Sequence, residues 1–387
     1  MIGAFSFNTS HRVVFENGSA GALSRHADSL LGDRPFIVTD KGIVGCGLID
    51  GCLEDLKAAG YQTALYEDVL ADPPRRLVEE ATKMAMKHGA TSVIGFGGGS
   101  SLDIAKLVAL LASSGEDLDD AWGIGNAKGP RLPLMLIPTT AGTGSEVTPI
   151  SIITLEDDEK RGVVSPILLP DLAILDPLLT LGLPAHVTAA TGIDAMVHAI
   201  EGYASKSANN NPVSRTLAVE ALKLLGTNIE TAVFEPKNED ARGAMLLGSM
   251  LAGMAFANSP VAAVHALAYP IGGTFHVPHG LSNALVLPHV LRFNAPYAAA
   301  DYATLAPHVF PELSVVDEPG ARAQAFADEL GHLSNRLGLQ STLREVGITS
   351  ADLPKMASDA MKQTRLLVNN PRPVTEADAL AIYEAAL

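Results

Sequence analysis

Asp194 and His198 stand four residues apart in the stretch Gly192-Ile193-Asp194-Ala195-Met196-Val197-His198. On a helix that spacing sets a carboxylate and an imidazole on one face, within reach of one cation. Pairs of this kind are common on ordinary helix surfaces, where they only hydrogen-bond each other. A second cluster changes the balance: His265, Tyr269, His276 and His279 crowd into VHALAYPIGGTFHVPHG. Pro270 and Gly272-Gly273 are expected to end the apolar stretch that carries His265, and Pro278-His279-Gly280 reads as a turn. A helix end followed by a turn brings His265 and His279 together. One carboxylate and three imidazoles in apolar surroundings suit Fe2+, Zn2+ or a similar divalent ion. Spacing leaves His276 open as a competitor to His279, although a surface position is the commoner role for such a residue.

Phosphate chemistry is written elsewhere, at Gly97-Gly98-Gly99-Ser100. A β-rich run over residues 92–96 leads into these glycines and a helix follows at once. Glycines allow close backbone approach, and a helix start offers unpaired N–H groups and the positive end of its dipole to a pyrophosphate. Asp103, three residues past Ser100, gives a start pattern of the capping-box type. A GGGS turn alone is a common connector. A second loop, Pro138 to Glu146, follows another apolar run, and its Thr139, Thr140 and Thr143 add donors for phosphate and ribose. Two such loops at the ends of parallel strands match the ligand position of open α/β sheets. Asp40, just after the run FIVT, is placed to accept from a ribose diol and repel a 2′-phosphate, which favours NAD over NADP.

The elements that must position these groups divide the chain in two. Short β-rich runs at 34–39, 62–66, 92–96 and 134–137 alternate with helical spacing over 43–59, 75–87 and 101–113. That alternation predicts a parallel sheet covered by helices. Beyond Pro184 amphipathic stretches dominate, at 186–205, 212–230, 239–257, 281–291, 322–337 and 351–364. The fold class expected is an α/β Rossmann-like, dinucleotide-binding domain over residues 1–184. An all-α domain over residues 185–387 would bind metal and substrate.

Hydrophobic residues make up 47% of the 387 and charged residues 18%, ample for a core and far from disorder. The net charge of −16 repels phosphate backbones, so nucleic acid is not expected as a partner. Two cysteines, Cys46 and Cys52, are too few for a disulfide framework and fit a reducing compartment. No apolar run nears the ~20 residues of a membrane span, and the first residues lack a secretory pattern. The expectation is a cytoplasmic protein without membrane attachment, acting on a small molecule.

Four long motifs, GGGSSLDIAK (97–106), PTTAGTGSE (138–146), TAATGIDAMVHAIEGY (188–203) and HALAYPIGGTFHVPHG (265–280), occur in this order. Together they resemble the iron-containing (group III) alcohol dehydrogenases, and the likeness runs from RVVFENGS (12–19) to NNPRP (369–373). The resemblance implies a Rossmann-like domain and a helical domain with metal and nicotinamide in the cleft between. It puts the metal ligands on Asp194, His198, His265 and His279, with Fe2+ ahead of Zn2+. It puts the cofactor loops on Gly97, Gly98, Gly99, Ser100, Thr139 and Thr140, and NAD preference on Asp40. Lys160 falls at a cofactor-side lysine, and Asp72 where many members have an asparagine near the adenine. A homodimer or higher homo-oligomer is implied too.

One departure stands out. Many members carry a histidine four residues after the third ligand, where this chain has Tyr269, so a proton relay through that histidine does not transfer. Tyr269 either carries a hydroxyl to the same place, as a catalytic group, or shapes the pocket, and the pocket role is the one expected. The implied activity is hydride transfer between nicotinamide C4 and a metal-bound alcohol or carbonyl. Alternatives on the same fold are glycerol dehydrogenase, maleylacetate reductase and hydroxyacid–oxoacid transhydrogenase. More distant is dehydroquinate synthase, whose phosphorylated substrate calls for a basic cluster that the helical half lacks. A sensor without catalysis is the non-enzyme alternative, and the intact ligand set argues against it.

Overall fold

The computed structural model describes residues 3–155 and 159–387. They form two compact units, one of Asn8–Gly182 and one of Leu183–Leu387. Residues 3–7 join the second unit rather than the sheet that follows them in sequence. There the Ser6 N–H donates to Asn209 Oδ1 and Asn209 Nδ2 donates to the Ser6 carbonyl, both at 2.9 Å.

The first unit holds nine strands: β1 (Val13–Phe15), β2 (Pro35–Val38), β3 (Ala64–Tyr66), β4 (Ser92–Gly97), β5 (Gly123–Ile124), β6 (Leu134–Pro138), β7 (Ile150–Thr154), β8 (Lys160–Val164) and β9 (Leu172–Leu175). Its helices are α1 (Leu23–Leu31), α2 (Lys41–Gly45), α3 (Asp50–Ala58), α4 (Arg75–His88), α5 (Gly99–Ser114) and α6 (Leu118–Ala121). Six strands make one sheet, ordered β1-β9-β6-β4-β2-β3 with every pair parallel.

Side chains alternate across it as the pleat requires. Phe36, Val38, Val93, Leu134 and Leu136 pack with Leu77, Val78 and Leu102 of α4 and α5. Ile37, Ile94, Phe96, Met135 and Ile137 pack on the opposite face with Leu23, Leu31 and Leu56 of α1 and α3. Each fully buried Leu, Ile or Phe contributes roughly 1.5–3 kcal/mol, so both layers are well anchored. From β3 the chain returns to β4 on the far side of β2, so the strand order reverses there. Ligands of open α/β sheets bind outside the carboxyl ends of strands at such a switch point.

The expected strands and helices of this half are present, with additions. A second sheet, β5-β8-β7, includes an antiparallel β7–β8 ladder running from Ile150 opposite Val164 to Thr154 opposite Lys160. The single helix expected over 43–59 is α2 and α3, separated by residues 46–49.

The second unit holds α7 (Ala185–Ala204), α8 (Pro212–Phe234), α9 (Glu239–Asn258), α10 (Ala263–Phe275), α11 (His279–Val309), α12 (Pro319–Arg336), α13 (Leu353–Ala360), α14 (Thr364–Leu367) and α15 (Glu376–Ala386). Helix α7 is buried on nearly every side from Thr188 onward and packs against α8, α9 and α11, so it is a core helix. The Asn211 side chain caps α8 by accepting from the Ser214 N–H, and Asn238 caps α9 by accepting from that of Ala241.

Two boundaries differ from expectation. Helix α10 continues through Pro270 and ends only at His276, which takes a left-handed conformation at φ 55°. Pro270 removes one N–H from the ladder, while Ile271 and Gly272 beyond it stay buried, and tertiary packing carries the helix on. Helix α11 begins at His279 itself, with Pro278 as its N-cap, and runs to Val309 across a kink at Ala298. Among the described residues no single helix is long and apolar enough to cross a membrane.

Candidate metal centre and nucleotide cradle

Polar groups on a buried helix must find partners, and those of α7 find them in one place. Asp194, His198 and Glu201 recur at four and then three residues, on one face. Asp194, His198 and His265 are all buried, and each offers a ligand atom within 4.8 Å of the others. His279, at the head of α11, brings its Nε2 to 3.7 Å from Asp194 Oδ1, and His265 Nε2 lies 4.0 Å from that oxygen. The His198 ring lies between Phe256, stacked at 4.3 Å, and His265, stacked at 4.7 Å. Burial alone would raise the Asp194 pKa, but His198, His279, His265 and the Asn283 amide outweigh it and hold the carboxyl below its usual range. His276 stands apart, exposed at the end of α10.

This approach depends on a close helix contact. A Cβ on Gly280 would stand 2.4 Å from the Ala190 carbonyl oxygen, so only glycine lets the first turn of α11 meet α7. Three helices then contribute side chains four residues apart: Asp194 and His198 from α7, His265 and Tyr269 from α10, His279 and Asn283 from α11.

Glu201 and Asn283 were not anticipated from sequence. Glu201 Oε2 accepts from His265 Nδ1 at 2.7 Å while Oε1 accepts from the Val264 N–H at 2.7 Å. A carboxylate on Nδ1 makes that nitrogen the donor and leaves Nε2 with a lone pair for a cation. Asn283 Nδ2 donates to Asp194 Oδ1 at 2.6 Å and lies 3.3 Å from the Nε2 atoms of both His265 and His279. Its Oδ1 is buried with no hydrogen-bond partner. The donor set, its burial and the Glu201 contact all fit a divalent cation. Tyr269 borders the set, its ring 6.2 Å from that of His279, and its hydroxyl accepts from Arg365 Nη2 at 3.4 Å.

In the sheet unit the glycine turn lies at the carboxyl end of β4. Gly97 has φ 150°, and a Cβ there would stand 2.7 Å from Ser101 Oγ. A Cβ on Gly99 would meet Thr143 Cγ2 at 2.9 Å, so the second loop lies directly on the first. Thr139 joins them through its N–H, which donates to the Gly97 carbonyl at 3.0 Å, and Thr140 lies beside Gly98. No side chain caps α5. Its start faces a cavity of about 480 Å³ lined by Asp40, Lys41, residues 69–71 and residues 98–101, a size that suits a small-molecule moiety. Asp40 Oδ1 caps α2 through the Ile43 N–H at 3.0 Å. Its Oδ2 lies 3.5 Å from where a Cβ of residue 97 would stand.

Three more of the assigned residues have partners of their own. Lys160 and Asp72 form an ion pair with each other, Asp72 at φ 49°. Asp103 does not cap α5. The helix starts at Gly99, which places residue 103 past the capping turn, and the partly buried carboxyl turns inward. There Oδ1 accepts from Ser145 Oγ at 2.6 Å and Oδ2 from the Ile152 N–H at 2.8 Å. Both oxygens therefore face protein, and Asp103 supports the second loop from below.

Lys106, fully buried, donates to Ser145 Oγ at 2.7 Å, Thr148 Oγ1 at 3.2 Å and the Ile150 carbonyl at 2.6 Å. Burial pushes the Lys106 pKa down to about 8, against the pull of Asp103 and Glu146. Burial also pushes Glu146 up to about 7, with Oε1 unpartnered. This network ties α5 to the second loop.

Metal-assisted hydride transfer with a dinucleotide is the chemistry for which both units are equipped, and that class is a nicotinamide-linked, metal-dependent dehydrogenase. Residues 10–177 match the family model for iron-containing alcohol dehydrogenase, and residues 188–387 match that for the C-terminal region of the same family. The chain belongs to the iron-containing alcohol dehydrogenase family. It is 42% identical to long-chain-alcohol dehydrogenase 1 of Geobacillus thermodenitrificans, over 91% of this chain and 89% of the relative. It is 37% identical to sulfoacetaldehyde reductase of Bilophila wadsworthia over 99% of each. The solved alcohol dehydrogenase from Oenococcus oeni superposes with a TM-score of 0.95 at 33% identity, over 99% of this chain and 100% of that one. The chain is accordingly an oxidoreductase of alcohols and aldehydes.

Proposed function

We propose that this chain interconverts small alcohols and their aldehydes or ketones with NAD(H), using Fe2+ held by Asp194, His198, His265 and His279. The observation that carries the proposal is the meeting of these four side chains from three helices. A divalent ion there supplies Lewis acidity toward the alcohol or carbonyl oxygen. Glu201 fixes the tautomer of His265, and Asn283 orients the Asp194 carboxylate. Phe256 covers the back of His198 and keeps water from that side. Tyr269 walls the pocket. Gly97, Gly98, Gly99 and Ser100 hold the pyrophosphate on the start of α5, and Asp40 selects NAD by repelling a 2′-phosphate. The same reading includes action as a homodimer or larger homo-oligomer in the cytoplasm, on a small molecule rather than on nucleic acid or membrane.

The decisive measurement pairs metal content with turnover. Replacing His265 with alanine, or stripping the metal with a chelator, is expected to lower kcat/KM by about 1,000-fold, the scale of several kcal/mol of lost charge stabilisation. Near-normal turnover without metal ends the proposal. A panel of alcohols and aldehydes with NAD(H) and NADP(H) tests the cofactor. Asp40→Ala is expected to narrow the NAD preference, and an unchanged preference removes Asp40 from that role.

A further inference from the structure

Arg365 has no part in the chemistry above, and its surroundings leave it largely unmatched. It lies on α14, half-buried. Among the described residues its guanidinium has one hydrogen-bond partner, the Tyr269 hydroxyl at 3.4 Å, the outer limit for such a bond. No carboxylate among the described residues pairs with it, whereas the other half-buried arginines of the helical unit are satisfied. Arg215 pairs with Asp301 and Arg292 with Asp328, Arg322 donates to three backbone carbonyls, and Arg372 stacks on Phe293. A guanidinium offers five donors in a planar fork, and a partly desolvated one without a counter-anion is unfavourable.

Its location gives the unmatched charge a use. Tyr269 follows the metal-set residue His265 by one helical turn, and its ring lies 6.2 Å from that of His279. One aromatic side chain therefore separates the guanidinium from the imidazoles. We infer that Arg365 binds an anionic group on the substrate, and that the preferred substrates are short aldehydes ending in a carboxylate or sulfonate. This inference rests on the proposed aldehyde reduction. With the carbonyl at the metal set, a chain of two to four carbons spans ~3–5 Å and carries the anion toward the fork. Carboxylate and sulfonate oxygens match that fork through two parallel hydrogen bonds. The net charge of −16 offers no long-range attraction to such a molecule, so its recognition falls to this cation at contact.

The test compares matched aldehydes on the metal-loaded enzyme: sulfoacetaldehyde against propanal, and succinate semialdehyde against pentanal. The wild type is expected to favour the anionic member of each pair. Arg365→Met is expected to lower the anionic-to-neutral ratio of kcat/KM by about 10- to 100-fold, mainly through KM, with Arg365→Lys recovering part of it. The sulfonate and carboxylate pairs, read separately, say which anion the site prefers. Tyr269→Phe separates recognition from scaffolding: the ratio survives if Arg365 binds the anion, and falls as in Arg365→Met if Arg365 only steadies Tyr269, which overturns the inference. Equal rates within both wild-type pairs also overturn it while leaving aldehyde reduction intact. Calorimetry with ethanesulfonate and propionate needs no turnover. Binding to the wild type that Arg365→Met abolishes supports the inference even if no aldehyde is reduced, and binding unaffected by the substitution overturns it.

Discussion

The two functional regions are built by opposite means. In the helical unit the site is made of side chains: a carboxylate, three imidazoles, Glu201 and Asn283, held by the packing of α7, α10 and α11. In the sheet unit it is made mainly of backbone, the Gly97–Ser100 turn and the start of α5, with threonines pressed against the glycines. A side-chain site fails when one functional group is removed. A backbone site fails when an atom is added. The difference also decides where charge is stored. The metal set balances its carboxylate within the cluster, whereas the cradle rests on buried Lys106 and Glu146 and partly buried Asp103 beneath it.

The contrast can be broken at either end. Glu201→Ala removes the acceptor on His265 and is expected to weaken divalent-metal binding by about 10- to 100-fold in a competition titration with a chromophoric chelator. NADH affinity should stay within a factor of two, roughly 0.4 kcal/mol; a matching loss of nucleotide binding would mean that the two regions are not independently built. Gly97→Ala adds one methyl at φ 150°, against Ser101, and is expected to weaken NADH binding about 10-fold by fluorescence titration while metal content holds. Unchanged affinity would show that the turn relaxes freely.

The third effect is in the support, and it is read as stability rather than as binding. Glu146 has a folded pKa raised to about 7 from its usual 4.5, so its proton favours the folded state. That contribution is complete below about pH 4.5 and is lost as pH rises through 7. The stability gap between Glu146→Gln and wild type should therefore shift in favour of the variant between pH 5 and 7.5, by up to ~3 kcal/mol in urea unfolding. Parallel pH profiles would show that Glu146 holds no such proton.

Much of this was legible in the sequence, and the losses have physical reasons. Asp194 and His198 announce a shared helix face by spacing alone. His265 and His279 were legible by type, but the secondary structure around them was not, because Pro270 and Pro278 read as breaks while tertiary packing keeps one inside α10 and uses the other to start α11. Asn283 follows His279 by four and becomes visible only once residue 279 is known to be helical. Glu201 had an available signal, as a lone acid seven residues after Asp194 in a mostly apolar stretch of α7. Lys106 had one too, as the single cation in the apolar body of α5. The β7–β8 ladder was hidden because β8, Lys-Arg-Gly-Val-Val, carries charge and glycine where a buried strand would carry aliphatics.

The missing side chain at Gly280 sets a rule for anyone redesigning this enzyme. Because a carbonyl oxygen of α7 fills the space where a twentieth-century chemist's smallest graft, a methyl, would go, a library aimed at a different metal should diversify positions 279 and 283 and leave 280 untouched. Variants that alter it would separate two helices before they altered a ligand, and a screen would score them as unfolded rather than as retuned.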